Sequence, residues 1–239
     1  MVKGRKGTKV KDKWRIKKWV IVKAPSTFGA NPIGYVPITD ETKALKRVVQ
    51  TTLFDILHDD PQQYSIKLYF QIESISGDIA QTILKGHEYS REYLRSMVRR
   101  GSSSVRLIKT YLTKDQALVS VQIVVFTQGR INTSRKHAIR SLIDEVLTKR
   151  SAELSYSQFA QEAVLGKLSS DIYTPAKKIS HIRHIGISKT KLLRKPTIEV
   201  DEDVIPLESV MHKADEQLEI SEGQEMVMEE VSAPAAESS

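Results

Sequence analysis

The stretch YSIKLYFQIESIS, residues 64–76, constrains the fold more than any other part of the chain. Ile66, Leu68, Phe70 and Ile72 alternate with Lys67, Tyr69, Gln71 and Glu73. Period two sends the four apolar side chains to one face of an extended strand, whereas a helix would scatter them around its axis. The chain must therefore build a sheet with one face against a core. Several other stretches supply strands. Val20-Ile21-Val22 is β-rich and stops at Ala24-Pro25, where proline removes a ladder donor. Val48 to Leu57 begins as strand-like text and ends before Asp59-Asp60-Pro61, which reads as a turn. Ile79 to Lys85 suits a partner strand beyond the Gly77-Asp78 turn, and Val105–Ile108 and Ala117–Thr127 flank a turn at Thr113-Lys114-Asp115. The second of these has a solid Val/Ile run, as expected of a central strand. Phe28 to Pro37 holds two glycines and two prolines and reads as a loop.

Helical spacing enters later. Ser90 can cap a helix in which Tyr93, Leu94, Met97 and Val98 share a face and which Gly101 ends. A long helix is expected from Thr133, with Ile139, Leu142, Ile143, Val146 and Leu147 on one face, and a second from Ser157 to Leu168. Asp171 to Pro196 reads as extended, basic text. There is no internal repeat and no strict strand–helix alternation. The expected class is α+β, with a mostly antiparallel, curved or barrel-like sheet and packed helices.

Charge is segregated along the chain. Glu199 to Ser239 holds thirteen acidic residues against one basic, a net of −12, so residues 1–198 carry 36 basic against 16 acidic, a net of +20. A surplus of that size repels itself unless something neutralises it, and nucleic acid is the usual neutraliser. Three parts are expected: a flexible basic arm at 1–13, a globular RNA-binding domain at 14–198 and an acidic disordered tail at 199–239. The tail reads either as solvated or as a segment that shields the basic body before assembly or touches a basic partner.

Much chemistry is missing. The chain has no cysteine, which removes disulfides, thiolate nucleophiles and cysteine-ligated zinc. No apolar run is long enough for a membrane span, and no secretory signal is visible, so the Asn132-Thr133-Ser134 sequon is expected to stay unmodified in a cytoplasmic protein. There is no P-loop, no dinucleotide fingerprint and no GxSxG. His181 and His184 stand three apart, which on a strand faces them oppositely, amid Lys177, Lys178 and Arg183 that disfavour a metal cation. Stacking on a base, or a hydrogen bond to a phosphate or 2′-hydroxyl, suits them better. No enzyme activity, metal or cofactor is expected.

Four cationic clusters remain. The first is the arm with Lys13, Arg15, Lys17 and Lys18. Alternation along a strand would face Arg15 and Lys17 outward and turn Trp14 and Ile16 inward, so core or edge packing of Trp14 and Trp19 is preferred to base stacking. The second is Arg99-Arg100 before Gly101-Ser102-Ser103-Ser104, a helix end where the macrodipole and an RNA phosphate are both suitable partners. The third is GRINTSRKHAIR, with Arg130, Arg135, Lys136, His137 and Arg140; Thr133 or Ser134 can cap a helix whose first turn is cationic. Cations oppose the macrodipole there, which points to a compensating anion bound by the same backbone N–H groups. The fourth is Lys177, Lys178, Arg183, Lys189, Lys191, Arg194 and Lys195, with no acid among them. It reads as an RNA contact or a solvated face.

In this order, KKWVIVKAPSTF, MVRRGSSSV, GRINTSRKHAIR and DIYTPAKKISHIRHI…LLRKP resemble the archaeal and eukaryotic small-subunit ribosomal protein family called S-three-a, with the shorter arm of its archaeal members. The resemblance spans roughly Trp14 to Pro196. It implies a non-enzymatic part of the small ribosomal subunit, on the platform near the messenger exit. Expected partners are small-subunit ribosomal RNA, neighbouring small-subunit proteins and, further out, messenger RNA or initiation factors. A free-standing RNA-binding or RNA-chaperone module is the alternative that shares the charge pattern.

Overall fold

The computed structural model describes residue 12, residues 14–58 and residues 60–197. Lys13, Asp59, the expected tail and, but for Asp12, the expected arm lie outside them. The elements in chain order are β1 (Lys18–Lys23), β2 (Pro32–Ile38), α1 (Glu41–Ala44), β3 (Val48–Thr52), α2 (Phe54–Leu57), β4 (Ile66–Ser76), β5 (Ile79–Tyr89), α3 (Arg91–Ser96), β6 (Ser104–Leu112), β7 (Leu118–Thr127), α4 (Thr133–Glu153), α5 (Tyr156–Val164), α6 (Lys167–Lys177) and β8 (Ile182–Arg194). The class is α+β, as expected, and the eight strands form one open sheet. Every pairing is antiparallel except β1 with β5.

The sheet branches at β5. One edge of β5 pairs along its whole length with β4, which carries β3. Along the other edge, Ile79–Gln81 pair with β1, while Glu88 at the opposite end pairs with Lys189 of β8. Two arms, β1–β2 and β8–β7–β6, thus leave one strand. The join to β8 needs close backbone approach. Gly86 has φ +153°, and a Cβ there would stand 2.1 Å from the Thr190 carbonyl oxygen. Beside it His87 is fully buried. Its Nε2 lies 3.0 Å from the Ile187 carbonyl oxygen, which can only accept, so Nε2 carries the proton. Nδ1 then accepts from the Thr190 hydroxyl at 2.8 Å, and the same hydroxyl oxygen accepts from the His87 N–H at 3.1 Å.

The larger core lies between the sheet and three helices. Val119, Val121, Ile123 and Val125 of β7 meet Ile139, Ile143 and Leu147 of α4, Phe159 and Ala163 of α5, and Leu168, Ile172 and Ala176 of α6. Spacings of four residues along α4 and α6 put each set on one stripe. Asp144 of α4 clamps β6 by accepting from Lys109 Nζ at 2.7 Å and Tyr111 Oη at 3.1 Å. Arg150 pairs with Asp171 at 2.7 Å, joining α4 to α6. A smaller core, Val20, Val22, Ile38, Ala44, Ile72 and Ala80, fills the β1–β2 arm.

Several sequence expectations need correction. The helix from Ser90 ends at Ser96 and not at Gly101, and the one expected over Ser157–Leu168 runs Tyr156–Val164 before α6 begins at Lys167. Trp14 and Ile16 do not turn inward: the chain makes a turn there, with Lys17 N–H donating to Trp14 O, and the strand begins only at Lys18. Val20 and Val22 take the buried positions, so alternation sends Trp19 outward, and Trp14, Ile16 and Trp19 are all exposed. Residues 32–38 form a strand, not a loop, and β2 tolerates Pro32 and Pro37 because it is an outer strand. The text from Asp171 is helical as far as Lys177, since burial of Leu168, Ile172 and Ala176 outweighs Pro175 in the last turns. Phe54–Leu57 turn into a short helix after β3.

Burial pushes His87 down to about 4 from the ordinary 6.5. The unfolded chain then takes up a proton near pH 6.5 that the folded chain refuses until about 4. Stability is full above that window and declines as pH falls through it, by on the order of 3 kcal/mol. We predict that urea unfolding at pH 7.5 and 4.5 shows this decline, and that His87→Gln, though less stable at pH 7.5, loses that much of the pH dependence. Equal pH dependence in both proteins would contradict a neutral buried histidine.

Candidate nucleic-acid interface

Three chain segments far apart in sequence meet at one end of the β6–β7–β8 arm: the entry to β6, the exit from β7 and the entry to β8. Hydrogen bonds lock them together. Ser103 N–H donates to Thr127 Oγ1 at 3.0 Å, Thr127 Oγ1 donates to Gly129 O at 2.7 Å, and Ile131 N–H donates to Ser103 Oγ at 3.3 Å. Gln128 N–H donates to His181 O at 3.0 Å. This frame carries Arg99 and Arg100 from the first segment, Arg130, Arg135, Lys136 and His137 from the second, and Lys177, Lys178 and His181 from the third. All are exposed except the half-buried Lys136. Residues 93–105, 128–143 and 174–187 contain no aspartate or glutamate. A locally single-signed surface of this kind is unfavourable unless an anion meets it.

The second segment opens α4. Its cap residue is Asn132, not Thr133 or Ser134 as expected: Thr133 and Ser134 are already helical. No side chain caps the helix and no acidic residue stands in its first turn. The first-turn N–H groups therefore point out among cations, which is the arrangement that holds phosphate oxygens.

Other predicted residues are occupied within the protein. The Arg183 guanidinium donates to Met97 O and so pins the segment after α3 to β8. Arg140 Nε donates to Arg106 O at 3.1 Å, tying α4 to β6. Lys189 pairs with Glu88 at 2.9 Å, and Lys195 pairs with Glu73. Ser90 caps α3 as expected, accepting from Tyr93 N–H at 3.3 Å. His184 is not presented to a ligand: its Nε2 is buried, its ring meets Tyr93 edge-on at 6.1 Å, and burial with the neighbouring Arg183 charge pushes its pKa down.

Register sorts the rest. Lys189, Lys191 and Arg194 pair with Gln122, Ser120 and Leu118, whose β6 partners are Ile108, Thr110 and Leu112. These side chains alternate with the buried Val119, Val121 and Ile123, so they share the sheet face turned away from α4. Ile108 and Leu112 are exposed on it. Sequence reasoning names the three cations but not the face they share with Ile108 and Leu112, nor the exposed Arg106 beside Arg140; only strand register reveals these. Arg15, Lys17 and Lys18 belong to a separate place. Ile21 N–H donates to Asp78 O, so this cluster lies by the β4–β5 turn, whereas β5 reaches β8 only at its other end. Among the described residues no cluster of three or more His, Asp or Glu side chains could hold a metal, and no helix is long and apolar enough to cross a membrane.

The two kinds of arginine predict different phenotypes. Replacing Arg100, Arg130 and Arg135 together by alanine should leave the urea midpoint nearly unchanged and reduce the steepness of log K against log salt for RNA by about 2. Arg183→Ala should instead lower stability by about 1–3 kcal/mol, because it strips a charged donor from the Met97 carbonyl. Filter binding and urea unfolding of both variants check this; a triple variant with an unaltered salt slope would contradict the assignment.

The chain matches the Ribosomal S3Ae family over residues 5–196. It is 43% identical over 190 residues to the small ribosomal subunit protein eS1 of Sulfolobus acidocaldarius, covering 79% of this chain and 96% of that one. The protein of the same name from Desulfurococcus amylolyticus is 46% identical over 190 residues, covering 80% of this chain and 89% of the relative. That of Sulfurisphaera tokodaii is 42% identical over 189 residues, covering 79% and 97%. The matched stretch includes every strand of the branched sheet and all three segments of its basic end, and on that extent of agreement the chain belongs to the Ribosomal S3Ae family.

Proposed function

We propose that this protein is a structural, non-enzymatic constituent of the small ribosomal subunit that binds ribosomal RNA and supports subunit assembly and translation in the cytoplasm. The observation that carries the reading is the convergence of three acid-free cationic segments at one end of the sheet. The relatives named small ribosomal subunit protein eS1 supply the particle. Arginines on a rigid frame beside an uncapped helix N-terminus suit phosphates and 2′-hydroxyls of folded RNA, recognised by shape rather than by base sequence. The body at 14–198 acts as the RNA-binding domain, the basic segment at 1–13 as an added arm, and the acidic stretch at 199–239 as a solvated tail or a shield before assembly. Neighbouring small-subunit proteins are its other contacts. Messenger RNA and initiation factors are further partners that a platform position near the messenger exit would allow.

Sedimentation tests the proposal. The full chain should travel with small subunits through a sucrose gradient and remain bound at moderate salt. A chain that runs free of the subunit while still binding RNA would favour a free-standing RNA chaperone.

A further inference from the structure

The tryptophans find no place in the core. Residues Val20, Val22, Val36 and Ile38 of the β1–β2 hairpin face the smaller core or pack against it. The register Trp19↔Pro37 and Ile21↔Tyr35 puts those four residues together on the opposite face. Trp19 is 60% exposed and Tyr35 68% exposed. They are diagonal neighbours across the hairpin, within reach of one another's ring edges. Trp14, 64% exposed, stands just before the strand with the Lys17 ammonium 3.4 Å from its ring centre. Large aromatic rings left open to water are costly, and no ring or cation contact among the described residues covers Trp19 or Tyr35.

Charge indicates the occupant. Arg15 follows Trp14, and Lys23 continues the alternation of Trp19 and Ile21, while Lys18 shares the parity of Val20 and Val22 at the exposed start of the strand. None of the three has an ion pair among the described residues. Arg47 donates to Pro37 O at 3.4 Å and lies along the outer edge of β2. An uncharged apolar protein surface would satisfy the rings and strand the cations; a duplex would satisfy the cations and hide its bases. An unpaired strand satisfies both, with bases stacked on the rings and phosphates on the cations.

We propose that the outer face of the β1–β2 hairpin, built from Trp19 and Tyr35 with Trp14 beside it, is a stacking platform for an unpaired RNA strand. The proposal rests on the RNA-binding reading above but concerns a surface separate from the basic end. The platform takes bases without strong sequence preference, because every base offers a ring face.

The chain's two tryptophans both lie here, so intrinsic fluorescence reports on this face alone. The full chain is titrated with a single-stranded uridine oligonucleotide of about twelve residues, and separately with folded small-subunit RNA. The proposal expects tryptophan emission to change on saturation with the oligonucleotide. It expects Trp19→Ala with Tyr35→Ala to weaken oligonucleotide binding by about tenfold or more, with the salt slope kept and folded-RNA affinity little changed. Both side chains are mostly exposed, so the double variant should keep the wild-type urea midpoint. Unchanged emission, or a double variant that binds the oligonucleotide like wild type, overturns the platform. If the variant keeps its oligonucleotide affinity but drops out of the subunit in the gradient, the face meets a protein and the proposal fails. If emission responds to removal of residues 199–239 and not to the oligonucleotide, the face belongs to the chain's own acidic segment and the proposal fails. Failure of the broader reading looks different: neither RNA binds and the chain stays at the top of the gradient.

Discussion

Strand β5 is shared between two arms of the sheet, and its hold on β8 joins their backbones beneath the larger core, in which Phe28, Phe70 and Leu84 meet β7 and α5. The hold is short. Glu88 pairs with Lys189, Gly86 lets the Thr190 carbonyl into space a side chain would fill, and His87 closes the gap with both ring nitrogens bonded. Each part requires the others: a Cβ at Gly86 would push Thr190 away, and a displaced Thr190 would leave a buried histidine nitrogen without its donor. The fixed relation between the aromatic hairpin at one side and the basic end at the other depends on this junction. The tail-side end is fixed as well, since Lys195 reaches back to Glu73 of β4.

With the frame fixed, the distribution of charge follows a simple division. Several carboxylates of the domain tie its elements together: Asp144 clamps β6, Asp171 holds Arg150, Glu162 takes Lys167, and Asp115 accepts from the Tyr156 N–H at 2.8 Å. Few remain to balance the basic end, which is assembled from three connections with none. The acids that remain exposed, Asp40, Glu73 and Glu153 among them, stand outside those three connections. That division suits a protein that completes its electrostatics only when it meets a polyanion.

Some of this was legible in the sequence and some was not. The alternation in β4, the Val/Ile run of β7 and the stripe on α4 could be read because each is a local periodicity set by one buried face. Helix α6 was missed although Leu168, Ile172 and Ala176 have helical spacing, because Pro175 and the basic text after it argued for an extended path; tertiary burial overrode the proline. Trp19 was misplaced because a tryptophan is expected to seek a core, while strand parity had already given the core positions to Val20 and Val22. The meeting of Arg100, Arg130 and Lys178 at one end was beyond local reading altogether. It comes from the order in which β6, β7 and β8 enter and leave the sheet, and no spacing along the chain encodes that order.

The central claim is that the acid-free end of the β6–β7–β8 arm is the face that meets RNA. A density map of the assembled small subunit tests it most directly. The account predicts Arg99, Arg100, Arg130 and Arg135 against sugar–phosphate backbone, with phosphate oxygens near the first turn of α4. The same side chains pointing into open solvent, with RNA against the helical side of the sheet instead, would contradict it.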